Sequence, residues 1–321
     1  MFLFLCCFYC FAYKLGSDWQ GYEDLYSNEF EFRAVEPGFM LVSSLFSSLN
    51  IDFWSYYYIL KTISFVLTII AVSYFMQHNN KYFAFMLYVA SFVTYLYLDC
   101  PFRNTIAISI MFVGLIFLHK KKLWLFYVFC LLSMSFHLSA TPLLLLPLCR
   151  FDKLSNKVLL IIYFTTLLVF LGGDQVIFRF LSFMPPIIQD KVLFYGESGS
   201  EASQILSPGL ILRLGCLFLM LSKRETIIAK YDKGAFMFNL AYLYLLLSLA
   251  SYTVSMLFRC GLFLGLFYVI YINYGIRAVR DKGLKAILYW FYFLAAVVIT
   301  YTTLKKGVYE PYENAILNYI I

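Results

Sequence analysis

Three arginines stand where a cation is costly. Arg103, Arg213 and Arg259 lie within or at the edges of long apolar runs, and a charge at membrane depth persists only with a reason. Arg103 follows Asp99-Cys100-Pro101-Phe102 and opens an apolar helix, where the helix dipole disfavours a cation unless an anion is near. Arg213 falls about a turn and a half into the run starting at Pro208. Arg259 sits in Ser255-Met256-Leu257-Phe258-Arg259-Cys260-Gly261, between two apolar runs with almost no loop. A guanidinium gives planar, bidentate hydrogen bonds to phosphate oxygens and is not neutralised by burial. Three of them predicted on one membrane face therefore point to a shared anion site, well suited to a diphosphate. The plainer readings are lipid headgroup contact and local salt bridges, such as Arg103 with Asp99.

His137, one of three histidines, lies in Ser135-Phe136-His137-Leu138-Ser139-Ala140 at the end of an apolar helix. A membrane histidine most often bridges helices. This one is predicted at the same face and depth as the arginines, and an imidazole titrating near neutrality can take a proton from a hydroxyl. His78 and His119, beside Lys clusters, read as ordinary loop residues.

Elements of membrane-spanning length must position these groups. The 321 residues are 62% hydrophobic and 13% charged, with mean hydropathy +0.78, against roughly 45–50% and 25% in soluble domains. That excludes a soluble fold. Apolar runs at 1–13, 54–76, 81–98, 103–118, 122–138, 139–150, 156–172, 208–222, 235–256, 259–276 and 285–304 predict one all-α, polytopic integral membrane domain of about 11 transmembrane helices over residues 1–321. The first run is short, but Tyr13-Lys14-Leu15-Gly16 has no small-x-small cleavage pattern, so it reads as an uncleaved helix. The run 139–150 is short and holds Pro142 and Pro147, which predicts a tilted, broken or re-entrant segment.

With the N-terminus inside, the inward connections 77–81, 119–122, 150–157, 223–233 and 277–285 carry 15 of the 25 Lys and Arg, which fits the positive-inside rule. The same orientation puts 14 of 18 acids outside, with the two longest outer segments, 14–53 and 173–207. The +7 charge is thus spread as topology signals rather than gathered into one basic face, and no nucleic-acid partner is expected. After Glu36-Pro37-Gly38, the apolar Phe39, Val42, Leu45, Phe46 and Leu49 recur at helical spacing, predicting a helix lying in the outer interface. The loop at 173–207, with Pro185-Pro186, reads as irregular and lid-like. Lys61 sits about two turns inside its run, where it can snorkel or pair with an acid. Cys7 and Cys10 form a C-x-x-C, but in Phe-rich sequence with no histidine nearby, so packing rather than metal is expected.

Gly16-Ser17-Asp18 with Tyr22, Glu36-Pro37-Gly38-Phe39, Arg103-Asn104-Thr105-Ile106-Ala107, Phe136-His137-Leu138-Ser139-Ala140 and Tyr309-Glu310-Pro311-Tyr312 together resemble the EpsG family of Wzy-type polysaccharide polymerases. Each motif is short, but their order and shared sidedness span nearly the whole chain. The resemblance implies a C-type glycosyltransferase of the bacterial inner membrane. Such an enzyme would move a growing glycan from undecaprenyl diphosphate to a sugar hydroxyl of a new lipid-linked repeat unit on the periplasmic side, making O antigen, capsule or exopolysaccharide. Its partners would be undecaprenyl-diphosphate-linked oligosaccharide, membrane lipid and a separate chain-length regulator. In that chemistry Arg103, Arg213 and Arg259 would bind the diphosphate. His137 leads as base or acceptor positioner, Glu36 and Asp18 are rival bases, and Tyr22, Tyr195 and Tyr312 are expected against sugar. A direct displacement would invert the anomeric centre. No cofactor is expected, and no metal, since no carboxylate cluster has Mg-like spacing. A flippase for lipid-linked units, a ligase to lipid A and a membrane O-acyltransferase are the alternatives. A flippase should place its charges nearer the midplane and often carries internal repeats, and no repeat is found here.

Overall fold

The computed structural model describes residues 2–16, 18–27, 36–76, 81–99, 102–171, 208–251, 256–304 and 313–316. Fourteen α-helices run through them, with one two-stranded sheet. Three helices are long and apolar enough to cross a membrane by length and composition: Phe53–Phe75, Phe102–His119 and Lys282–Thr302. Shorter apolar helices occupy Tyr82–Leu98, Leu123–Phe136, Asn156–Phe170 and Gly234–Ala250. The chain divides into two units, Met1–Leu144 with Tyr289–Ile321, and Leu145–Leu288.

In the first unit, α1 (Phe2–Cys10) leads into β1 (Ala12–Tyr13), followed by α2 (Trp19–Ser27), α3 (Pro37–Ser48) and α4 (Phe53–Phe75). The outer segment expected at 14–53 thus contains two helices, and α3 falls where the apolar spacing predicted one. Asp52 caps α4, its side chain accepting from the Ser55 N–H at 3.0 Å. Then come α5 (Lys81–Tyr88), a π-helical turn (Val89–Val93), α6 (Thr94–Leu98), α7 (Phe102–His119) and α8 (Leu123–Phe136). Helix α7 is the core element, 72% of its apolar window being buried. It packs on α4 and α8. Small residues permit the close approach to α8. A Cβ on Gly114 would lie 2.8 Å from Phe129 Cβ, and the Ser133 hydroxyl donates to the Ala107 carbonyl at 2.8 Å.

Lys61 of α4 neither snorkels nor meets an acid among the described residues. It is buried, donates to the Tyr97 carbonyl at 2.7 Å and sits 4.6 Å over the Tyr57 ring. The π-helical turn departs from the uninterrupted helix that the apolar pattern of 81–98 predicts. Its carbonyls, displaced from regular α-helical pairing, are met by hydroxyls: Thr94 donates to Val89 at 3.1 Å and Thr300 donates to Ala90 at 3.1 Å.

The segment predicted as broken, 139–150, is a 3-10 helix over Leu138–Leu148. In the second unit follow a short 3-10 turn (Phe151–Lys153) and α9 (Asn156–Leu171), then α10 (Pro208–Lys230), α11 (Gly234–Ala250), α12 (Met256–Leu262) and α13 (Gly265–Arg277). The sequence places the end of α10's run at residue 222, yet the helix continues to Lys230. Arg224 is buried there. It donates to the Leu154 carbonyl at 2.6 Å, the Asn156 side chain at 3.0 Å and the Asp152 carbonyl at 2.5 Å, while Asn239 and Asp152 bond each other twice at 2.7 Å. The single run at 259–276 is two helices, with a turn at Phe263 and Leu264.

Helix α14 (Lys282–Leu304) precedes β2 (Glu313–Asn314). In the first unit β2 pairs antiparallel with β1, Ala12 opposite Asn314 and Tyr13 opposite Glu313. The Asn314 amide also donates to the Cys7 carbonyl at 3.0 Å, so the closing segment is tied to the end of α1.

Candidate active site

The first unit gathers Glu36, Arg103, His137 and Tyr22. Each is placed by a chain feature visible in local sequence. Glu36 is the residue before α3, extended at φ −65°, ψ 137°, with Pro37 beginning the helix, where proline's fixed φ and missing N–H fit. A carboxylate there commonly caps its own helix, but the Glu36 side chain makes no such bond. Instead its Oε2 pairs with an Arg103 Nη and its Oε1 lies 3.4 Å from the Leu138 N–H. Gly38 makes this possible: a Cβ there would come within 2.8 Å of Ser135 Cβ and 2.9 Å of its carbonyl oxygen. Glycine therefore lets the start of α3 lie against the end of α8.

Arg103 occupies the first turn of α7. The cation that the helix dipole disfavours there is offset by Glu36, 67 residues earlier, rather than by the nearby Asp99 that the sequence suggested. Glu36 is 8% exposed and the Arg103 side chain 24%. The guanidinium also lies 5.8 Å from the rings of Tyr22 and Phe39, within cation–π range. Those rings pack with each other and with Phe102. Tyr22, expected against sugar, is thus buried among aromatics beside the ion pair.

His137 is the last residue of α8's capping turn and the first before the 3-10 helix. Its backbone is extended (φ −159°, ψ 124°) and its N–H donates to Ser133 O at 3.0 Å. The side chain is 8% exposed. Its Nδ1 accepts from the Ser139 N–H at 3.2 Å and lies 2.7 Å from the Ser139 hydroxyl. That hydroxyl in turn donates to Asn104 Oδ1 at 3.1 Å. Asn104 and Ser139, both buried, were not singled out from the sequence. Their signal was adjacency: Asn104 follows Arg103, and Ser139 stands two residues after His137, inside the very motifs that carried the other two.

Asp18 begins the turn leading into α2, is exposed, and its carbonyl accepts from the Tyr22 N–H at 3.2 Å. Arg213 on α10 and Arg259 on α12 belong to the second unit, and both are half-buried. Tyr195 and Tyr312 lie outside the described residues, as does the lid expected at 173–207. His119 ends α7 with its Nδ1 2.9 Å from the Tyr74 hydroxyl, which makes it a packed residue rather than a loop residue.

Chemically, the cluster offers an anchored cation, a carboxylate and an imidazole. Long apolar helices with lipid-suited exposed side chains such as Leu131, Ile161, Trp290 and Leu294 define an all-α membrane protein. The chain belongs to the EpsG family, whose sequence model matches residues 1–320. It is accordingly a membrane protein of polysaccharide biosynthesis, with the glycosyltransferase-like polymerase activity associated with that family. No curated protein and no solved structure matches the chain.

Proposed function

We propose that this chain is the polymerase that joins lipid-linked oligosaccharide repeat units at the periplasmic face of the bacterial inner membrane. The donor is the growing glycan on undecaprenyl diphosphate, and the acceptor is a sugar hydroxyl of a new lipid-linked unit. The observation that carries this reading is the Arg103 guanidinium, held by Glu36 at the start of α7 beside the backbone that follows His137.

The reaction breaks the bond between the anomeric carbon and the diphosphate oxygen. The electron pair leaves with the diphosphate, the acceptor oxygen forms the new bond to carbon, and the acceptor proton passes to a base. Attack opposite the leaving group inverts the anomeric centre. Negative charge grows on the leaving oxygen, so a preset cation there lowers the barrier. A carboxylate can accept at most two of a guanidinium's five N–H bonds, so pairing with Glu36 orients Arg103 without exhausting its capacity for phosphate oxygens. Arg213 and Arg259, in the second unit, keep the diphosphate-binding role expected of them from the sequence; Glu36, His137 and Asp18 are assigned to the proton, and Tyr22 to the sugar.

The test is genetic. In a strain lacking its own copy, Arg103→Ala, Arg213→Ala or Arg259→Ala at normal protein abundance should leave a single repeat unit on the lipid carrier. Undiminished long-chain polymer in the Arg103 variant rejects the assignment.

A further inference from the structure

We infer that Tyr13, Trp19 and Trp54, with Lys14 at their edge, form a saccharide subsite that stacks a pyranose ring of the glycan whose diphosphate is assigned to Arg103. The subsite serves the proposed polymerase reaction and rests on that reading. A pyranose has an apolar face of C–H bonds and a rim of hydroxyls, so a site for it needs half-exposed aromatic rings edged by polar groups. Both are present in the first unit. The Trp54 ring meets Tyr13 at 4.4 Å and Trp19 at 5.7 Å, tilted by 51° and 40° rather than stacked. All three residues are half-buried, whereas Lys14, Asp18, Gln20, Asp52 and Ser55, close to them in the chain, are exposed. Aromatic residues that anchor a helix in lipid have exposed apolar neighbours, as Trp124 has in Leu123 and Tyr127, and Trp290 in Ile287 and Phe291. Around Trp19 and Trp54 the nearest exposed neighbours are polar instead.

Separate elements hold the rings in place. Trp54 stands in the first turn of α4, which Asp52 caps, Trp19 begins α2, and Tyr13 is fixed by its pairing opposite Glu313 in the sheet. Between Tyr13 and α2 the backbone of Lys14 is left-handed, at φ 51°, a conformation that costs a non-glycine residue and tends to be kept where a side chain must be aimed. It carries the Lys14 ammonium to 5.2 Å from the Tyr13 ring centroid and 5.7 Å from that of Trp19, within cation–π range, where its N–H donors suit sugar hydroxyls. Trp54 also packs on Tyr57 at 5.7 Å, and Tyr57 on Phe102 at 4.4 Å. Two ring contacts therefore join the platform to the residue before Arg103, which puts it within reach of a glycan attached to a phosphate there.

The test uses full-length protein in lipid nanodiscs and, as probe, the free oligosaccharide released by mild acid from the lipid-linked repeat unit of the source bacterium. Trp124 and Trp290, the other two of the four tryptophans, are replaced by phenylalanine so that fluorescence reports Trp19 and Trp54 alone. The oligosaccharide should shift this emission saturably, and brominated acyl chains should leave it unquenched. Trp19→Ala should weaken binding about tenfold, and Trp54→Phe, which keeps a ring, by about threefold. The absence of a saturable shift, or undiminished binding in folded Trp19→Ala, overturns the inference. So does quenching by brominated chains as strong as that of Trp124 and Trp290 in protein carrying Trp19→Phe and Trp54→Phe, which would make the platform a lipid anchor. The saturable shift and the quenching are read with the platform intact, so they decide even where Trp19→Ala does not fold. In chain extension, Trp19→Ala should raise KM for the lipid-linked unit about tenfold with kcat within about twofold. If the protein binds the oligosaccharide but joins no units, the polymerase reading falls and the subsite stands; if it joins units without binding the oligosaccharide, the subsite alone falls.

Discussion

The Arg103–Glu36 pair can be weighed by removing each charge alone and both together. Exposed pairs contribute about 0.2–1 kcal/mol, whereas stripping one partner from a buried pair costs about 3–5 kcal/mol because the other charge is stranded. This pair is unequal: Glu36 is 8% exposed and Arg103 24%. Arg103→Leu strands the better buried member, which keeps only the distant Leu138 N–H at 3.4 Å, and should cost about 2–3 kcal/mol, between the two regimes. Glu36→Gln leaves an arginine that still faces the Tyr22 and Phe39 rings and reaches water, so its cost should be about 1 kcal/mol. The double variant should cost less than the sum, with a coupling of about 1.5 kcal/mol. The assay is reversible unfolding in mixed micelles for all four proteins. Additivity within about 0.5 kcal/mol, or a larger loss from Glu36→Gln than from Arg103→Leu, would refute the reasoning.

Gly38→Ala should destabilise by about 1–3 kcal/mol and abolish polymer, since the new Cβ meets Ser135; adding Ser135→Gly should restore part of both, read by unfolding and by product length. Asp52→Ala should cost about 1 kcal/mol of α4 capping near neutral pH, whereas Asp52→Asn should be nearly neutral there. Hydrogen bonds from Ser55 hold the Asp52 carboxyl below its ordinary pKa. That stabilisation is present above the ordinary value of about 4 and is lost as pH falls through the lower folded value. The wild type should therefore show an acid-side loss that Asp52→Asn lacks, measured as unfolding against pH. Arg224→Lys should cost about 2–3 kcal/mol despite the retained charge, because one ammonium cannot reproduce the forked bonds to Asp152, Leu154 and Asn156; limited proteolysis in the 150–157 segment should rise with it.

Apolar run length located most of the longer helices because burial in lipid or core demands it of them, whereas the polar α2 gave no such signal. What the runs concealed were local departures supported by single side chains. The sequence 81–98 keeps helical spacing through the π turn, and only the Thr300 hydroxyl, far along the chain, shows how Ala90 is satisfied. The charged stretch after residue 222 reads as loop, yet it stays helical because Arg224 is clasped by the 152–156 segment. In the site, residue type and cost of burial were enough to single out Arg103, Glu36 and His137. Their pairing was not legible, since Asp99 is near in sequence while Glu36 is brought in by a helix seated on α8 through Gly38. Ser139 and Asn104 went unseen for a related reason: short polar residues at helix starts ordinarily cap backbone, and nothing local says that here Ser139 meets both the His137 ring and Asn104.

The most direct measurement is chain extension by the purified full-length protein in proteoliposomes supplied only with lipid-linked repeat units. The wild type should build a ladder of lengthening glycans on the carrier, and equally abundant Arg103→Ala should stop at one unit. An equal ladder from Arg103→Ala, or none from the wild type, would contradict the account.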